Sequence, residues 1–153
     1  MITQYSMKKD FLNHIIHEDY YPFLKNELKK YYQHGKTTIF KHVRNVSYCS
    51  YKVGKKVSKK TDIDLLIKSA YMHDLFMYDW HEKSDTHRLH GYTHPKVAAE
   101  NAAKYCHANE KMQKIIKTHM WPLTITKIPT SKEAWILCLC DKHIALKETL
   151  HRH

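Results

Sequence analysis

The chain has 153 residues, enough for one globular domain that buries its own core. Hydrophobic residues make up 42% and charged residues 27%, with only 3 Gly and 4 Pro. This composition excludes a collagen-like or largely disordered chain and argues against a turn-rich β-sandwich. Lysine and arginine total 26 against 15 acidic residues, a formal charge of +11, which suits polyanions such as nucleotides, nucleic acids or acidic partners.

Neither end of the chain nor its interior carries a membrane signal. The longest purely apolar run, from Ala134 to Cys140, is far shorter than the roughly 18 residues of a membrane span. The N-terminus lacks the apolar core of a signal peptide, so we expect a cytoplasmic protein without a membrane partner. The cysteines are then expected to be unpaired, buried small residues, at positions 49, 106, 138 and 140.

Apolar residues recur with helical spacing from end to end, which predicts an all-α, single-domain helical bundle. An N-terminal extension, residues 1–35, is expected to hold one helix from Ser6 to Tyr32 with a kink or break near Pro22. A second helix follows residues 37–38 and presents a valine-rich stripe opposite a lysine-rich face.

The later helices are located by their capping residues. Thr61 is predicted as the N-cap of the third helix. The stretch from Tyr78 to Tyr92 has no clean period and is interpreted as a long loop, after which Thr93 is predicted to cap a helix with Pro95 in its first turn. The caps of the last two helices are predicted at Asn109 and Ser131.

Polar residues interrupt the apolar faces of five predicted helices. They are His42, His73, Asp74, His94, His119 and Asp141. Each alone is most simply a hydrogen-bonded core residue. Together, buried carboxylates and imidazoles are unfavourable unless they share a charge partner, and a divalent cation ligated by both is the simplest one. His90 lies one helical turn before His94. If the helix that carries His94 begins earlier than Thr93, His90 is the alternative ligand in place of His94.

Over residues 38–146 the sequence resembles the HD-domain superfamily of metal-dependent phosphohydrolases. The residues that carry the resemblance are, in chain order, His42, the adjacent pair His73-Asp74, and Asp141. The pair lies in the segment Ala-Tyr-Met-His-Asp-Leu, and His94 and His119 match the two extra histidines of members that hold two metals. The segment 81–95 is similar to a group of small uncharacterised HD proteins. The GYP signature of cyclic-dinucleotide phosphodiesterases is absent, since threonine ends the corresponding segment, Gly91 to Thr93.

The resemblance implies hydrolysis of a phosphate ester by water activated at one or two divalent ions (Fe, Mn, Ni, Co or Zn). The resemblance gives no substrate, and we expect a nucleotide-like one. Asp74 would bridge two ions, with His42, His73 and Asp141 on one and His94 and His119 on the other. Arg88 and Lys142 are the candidate cations for the phosphoryl oxygens. Three further histidines are alternatives for phosphate contact or ordinary loop polarity: His81, His87 and His90.

Two other functions remain open from sequence. One is a nucleotide or nucleic-acid binding module with a structural metal site and no turnover. Its support is the lysine-rich face from Lys52 to Lys60, with Tyr48 and Tyr51 nearby, although an exposed amphipathic helix shows the same pattern. The other is a protein-interaction domain that keeps the helical scaffold alone.

Overall fold

The computed structural model describes residues 3–85 and 88–151. Within these ranges the chain forms seven helices and one short antiparallel hairpin, so the all-α prediction is confirmed. The elements are α1 (Gln4–Asn13), α2 (Tyr21–Leu28), β1 (Tyr32–His34), β2 (Thr37–Thr38), α3 (Ile39–Val57), α4 (Ile63–Met72), α5 (His90–Cys106), α6 (Glu110–Lys117) and α7 (Lys132–Leu150).

Short polar side chains begin several helices, as predicted. Asn109 Oδ1 accepts a hydrogen bond from the Met112 amide at the start of α6, and Ser131 Oγ accepts one from the Ala134 amide at the start of α7. Thr38 caps α3 in the same way. Each such bond satisfies an amide that the first helical turn leaves without a partner.

Two predicted starts are wrong. The N-cap of α4 is Asp62, whose carboxylate accepts from the Leu65 amide at 3.0 Å, and Thr61 lies in the turn before it, with its amide bonded to the Ser58 carbonyl. Helix α5 begins at His90 rather than after Thr93, so Pro95 lies inside it. Pro95 stands beyond the first turn of α5, where it removes the backbone hydrogen bond that a residue there would donate to the Gly91 carbonyl.

The N-terminal segment also differs from the single helix expected over Ser6 to Tyr32. It forms α1 and α2 with turns between them, and Pro22 stands in the first turn of α2 rather than at a kink. The chain then makes the β1–β2 hairpin, turning at Gly35 with a φ of 53°. The hairpin sets Gln33 and His34 beside the start of α3.

Helix α3 is central to the bundle and packs against α4 and α7. Its apolar side chains enter two buried clusters, one toward α1, α2 and α5 and the other toward α4 and α7. The four cysteines form no disulfide, and Cys49 alone among them is only partly buried. None of the helices in the described ranges is long and apolar enough to cross a membrane.

Helices α3 and α4 approach closely at Gly54. A Cβ there would lie 2.9 Å from Ile63 Cδ1 and 3.0 Å from Leu66 Cδ2. We therefore expect Gly54→Val to destabilise the fold by about 1–3 kcal/mol through overpacking, measured by urea unfolding. The exposed Lys56→Val on the same helix is the control, with a change of at most about 0.5 kcal/mol. Wild-type stability in the Gly54 variant would contradict the close approach.

Candidate metal centre

Five segments bring the six predicted polar side chains to one place. His42 lies on α3, His94 on α5 and Asp141 on α7. His73 is the C-cap of α4 with Asp74 directly after it, and His119 follows α6. All six are buried, the most exposed being Asp141 at 8%. Residues distant in sequence thus form one polar cluster inside an apolar bundle.

Asp74 lies between two groups of imidazoles and turns one carboxylate oxygen toward each. Its Oδ2 is 3.6 Å from His42 Nε2 and 3.3 Å from His73 Nε2. Its Oδ1 is 3.3 Å from His94 Nε2 and 3.6 Å from His119 Nε2. The carboxylate is therefore oriented so that it can touch two cations at once.

Asp141 completes the first group. Its Oδ1 lies 3.0 Å from His42 Nε2 and 3.3 Å from His73 Nε2. Two sets of side chains can each hold a metal ion, with ligand atoms within 4.8 Å of one another: His42, His73, Asp74 and Asp141 in one, and Asp74, His94 and His119 in the other.

Backbone carbonyls fix the orientation of three of the rings. His73 Nδ1 donates to the Ala70 carbonyl, His94 Nδ1 to the His90 carbonyl, and His119 Nδ1 to the Ile116 carbonyl, at 2.7, 2.8 and 2.6 Å. With the Nδ1 hydrogens used in this way, each ring presents Nε2 to the cluster. Histidine ligands of metals are commonly held by this kind of outer hydrogen bond.

Two details of the cluster indicate a cation. His94 Nε2 and His119 Nε2 lie only 3.0 Å apart, and two ring nitrogens at this separation need a proton or a metal ion between them or beside them. His73 Nε2 is also buried, and although it lies 3.3 Å from both Asp74 Oδ2 and Asp141 Oδ1, it forms no well-directed hydrogen bond among the described residues. A metal ion between these atoms would supply the partner that a buried polar nitrogen needs.

The spacing of the ligand atoms also fits a metal ion. Ligands about 2.1 Å from an ion lie about 3.0–3.4 Å from each other when they subtend right or tetrahedral angles. The separations between ring nitrogens and carboxylate oxygens within the two groups, and between His94 Nε2 and His119 Nε2, run from 3.0 to 3.6 Å. Imidazole and carboxylate without thiolate suit divalent Fe, Mn, Ni, Co or Zn, and the side chains present therefore fit the ions that were predicted.

The protonation states of the cluster depend on two opposing effects: burial disfavours charged side chains, and contact with oppositely charged side chains favours them. Burial opposes the charge of His42, but its hydrogen bonds to Asp141 and Glu148 outweigh burial and raise its pKa to about 9. Burial likewise opposes ionisation of Asp74 and Asp141, yet the surrounding histidines hold the pKa of both carboxyl groups well below the usual range. Burial lowers the pKa of His119, which keeps that ring neutral. Two ionised carboxylates thus lie in the interior at pH 7.

Glu148 is a site residue that the sequence did not reveal. Its Oε2 accepts a hydrogen bond from His42 Nδ1 at 2.8 Å, and its Oε1 accepts one from Asn45 Nδ2 at 3.1 Å. His42 is therefore the one ligand candidate of the four whose Nδ1 donates to a carboxylate rather than to the backbone. The only sequence signal for Glu148 was its spacing of seven residues from Asp141, which places both residues on one face of α7.

Gln33 on the hairpin is the second residue that was missed. Its Nε2 donates to Asp74 Oδ2 at 3.0 Å, so the hairpin adds a hydrogen bond to the shared carboxylate. Nothing in the local sequence marks this glutamine, because the hairpin itself was not predicted.

A cavity of about 540 Å³ reaches the cluster from the surface. Four of the six predicted ligands line it, together with Lys142. Apolar and aromatic side chains form much of the remaining wall, among them Trp80, Met120, Pro122 and Leu123. Ligand groups are therefore accessible to a small molecule although they are buried from bulk solvent.

The other predicted contacts divide between this cavity and its surroundings. Lys142 lines the cavity, and its Nζ donates to the His119 carbonyl at 2.8 Å. Arg88 is exposed and lines a neighbouring depression that shares Trp80 with the cavity. The exposed His81 lines that same depression. His87 lies outside the described residues.

His90 does not replace His94 in the cluster, although α5 begins early enough to allow it. The His90 ring stacks on His94 at a centroid distance of 4.4 Å and on Trp80 at 5.1 Å, and Tyr78 hydroxyl lies 2.8 Å from its Nδ1. His94 is the residue whose Nε2 faces Asp74. His90 therefore supports the ligand ring and lines the cavity.

Comparison with known proteins agrees with this geometry. The model of the HD-domain family matches residues 39–146, which confirms the resemblance drawn from the ordered histidines and aspartates. No curated protein and no solved structure matches the chain.

Removing the charge of Glu148 should weaken metal binding. Glu148→Gln keeps an acceptor for His42 Nδ1 but makes the ring a less basic ligand, so we expect Mn²⁺ affinity to fall by about 10–100-fold in a calorimetric titration. Thr149→Ala, which removes an exposed hydroxyl from the next position, is the control and should bind as wild type does. Equal affinity in both variants would mean that Glu148 does not act on the ligand.

Proposed function

Since the chain belongs to the HD-domain family, we propose that it is a metal-dependent phosphohydrolase that cleaves a phosphate ester of nucleotide type with water. The observation that carries the proposal is the orientation of Asp74, with one oxygen toward each group of imidazoles. A single buried carboxylate shared in this way is suited to two ions held close together.

In the proposed site, His42, His73, Asp74 and Asp141 hold the first ion, and Asp74, His94 and His119 hold the second. Bound divalent ions supply a water of lowered pKa as nucleophile and offset the charge that develops on the phosphoryl oxygens. The protein's own part is to fix these ligands. Gln33 and the three backbone carbonyls do so by holding Asp74 and the imidazole rings in place.

Lys142 is proposed to bind the phosphoryl group. It lines the cavity beside Asp141, and its anchoring to the His119 carbonyl fixes the ammonium at the edge of the second group. A preorganised cation at this position stabilises developing negative charge without having to move during the reaction. Arg88, outside the cavity, is assigned to the rim, where it would meet the part of the substrate that projects past Trp80.

The cavity also supports a substrate with an apolar or planar group. Its volume of about 540 Å³ lies in the range of small-molecule sites. Trp80, Met120 and Leu123 offer an apolar wall opposite the polar cluster, as a nucleoside or similar organic group would require.

Turnover is favoured over a purely structural metal site for one reason. Structural sites enclose the ion completely with protein ligands, whereas catalytic sites keep a position open. Here Asp74, His94, His119 and Asp141 all line the cavity, so both ligand groups can be reached by a substrate.

The number of metal ions bound per chain distinguishes a one-ion site from a two-ion site. We expect His42→Ala to lose the first ion, and the double change His94→Ala, His119→Ala to keep that ion and lose the second. Elemental analysis of protein purified without chelator measures the stoichiometry, and the exposed His81→Ala is the control. Full stoichiometry in the double variant would place its two histidines in the cavity wall instead.

Asp74→Asn tests the function itself. The amide keeps the shape of the side chain but removes the shared charge, so metal content should fall and hydrolysis should drop by about 10³-fold or more. The fold should survive, because the exchange opens no cavity in the core. A panel of phosphomonoesters, phosphodiesters and nucleotides, with circular dichroism for the fold and exposed Asp19→Asn as control, measures these outcomes. Undiminished hydrolysis by the Asp74 variant would locate the chemistry elsewhere.

A further inference from the structure

A second groove of about 460 Å³ lies between α3 and α7. Lys41 and Lys52 enter it from α3, where a spacing of eleven residues places both on one helical face. Lys147 enters it from α7, with His143 one turn before it. The groove shares no lining residue with the cavity of the metal centre, so it is a separate surface of the molecule.

The positive charge in this groove is not offset locally. Among the described residues Lys41, Lys52 and Lys147 form no ion pair, whereas Lys55 on the same helix lies 3.5 Å from Asp10. The acidic residue in the groove is Glu148, and its two oxygens already accept from His42 and Asn45. Its charge therefore serves the metal centre and leaves the three ammonium groups available.

The thiol of Cys49, which also lines the groove, responds to this field. A hydrogen bond from Cys140 lowers the Cys49 pKa most, and although burial opposes the shift, the charges of His143, Lys52 and Lys147 help to bring it to about 6. The basic side chains of the groove thus add to the effect of the Cys140 hydrogen bond in favouring the thiolate. Concave basic surfaces with low-dielectric walls concentrate anions in this way.

We propose that the groove between α3 and α7 binds a phosphorylated small molecule at a site separate from the metal centre. Lys52 and His143 with Lys147 lie on the two facing walls, close enough to Cys49 for their charges to act on its thiol, whereas Lys41 lies about 16 Å further along α3. A pair of lysines with a histidine around one part of the groove suits a compact phosphate group. The volume is that of a small-molecule site, and the Tyr48 ring, with Lys52 Nζ 4.8 Å from its centroid, provides a flat face for an attached organic group.

Cys49 provides a reporter that lies inside the groove. It is the one cysteine of the four that is not buried, so a small neutral alkylating reagent should modify it first. We expect inorganic phosphate to slow iodoacetamide modification of Cys49, relative to chloride at the same ionic strength and pH. Occupancy at ten times the dissociation constant would slow the reaction by about tenfold, measured by mass spectrometry of the intact chain.

Matched variants assign the protection to the groove. Lys52→Gln with Lys147→Gln should abolish protection, expressed as the ratio of the two rates within each variant. Lys56→Gln with Lys59→Gln removes the same charge from exposed positions near the end of α3 that do not line the groove, and should keep it. Asp74→Asn should also keep it, because the groove does not depend on the metal centre.

Three results would overturn the proposal. One is equal modification rates in phosphate and chloride, and another is equal protection in the two double-lysine variants. The third is protection by a single-stranded DNA oligonucleotide but not by phosphate, which would make the groove part of a nucleic-acid surface.

Discussion

The structure depends on the burial of two ionised carboxylates, Asp74 and Asp141, in the middle of an apolar bundle. Burial alone would drive such groups to their neutral forms. Four imidazoles within 3.0–3.6 Å offset that penalty and hold both pKa values low. Because these ligand candidates come from five separate segments, the cluster also fixes how the helices meet. The same contacts that stabilise the charges therefore define the positions a metal ion can take.

The scaffold positions the cluster through contacts between helices and through the hairpin. Helix α3, which carries His42, contacts both α4, which ends at His73, and α7, which carries Asp141. The hairpin adds Gln33, which binds Asp74 from outside the bundle. Asp74 is thereby restrained on several sides, as a shared ligand must be if each oxygen is to keep its own neighbours.

Sequence periodicity was sufficient to single out the six polar residues, since each broke a predicted apolar stripe. Asp74 and His119, which were expected on helices, lie just past the ends of α4 and α6. Periodicity did not identify site residues whose contacts are distant in sequence and whose local sequence pattern is unremarkable. Glu148 resembles any exposed acid near a helix end until Asp141 and His42 are placed, and Gln33 lies on a hairpin of five strand residues. The start of α5 was missed because Pro95 suggests a first turn, whereas stacking of His90 on Trp80 and His94 continues the helix upstream. Side-chain packing outweighed a local signal there.

The formal charge of +11 is distributed unevenly around Glu148. This residue stands at the boundary between the buried acidic cluster and the basic groove, and its charge is directed inward to His42. The lysines of the groove are exposed, whereas Asp74 and Asp141 are buried. Cations are drawn to the cluster by contact at short range, while anions are drawn to the surface by the summed field. In the proposed phosphohydrolase the buried carboxylates would hold the metal ions and the exposed lysines would attract a phosphorylated molecule, and the groove lysines do not line the cavity of the metal centre.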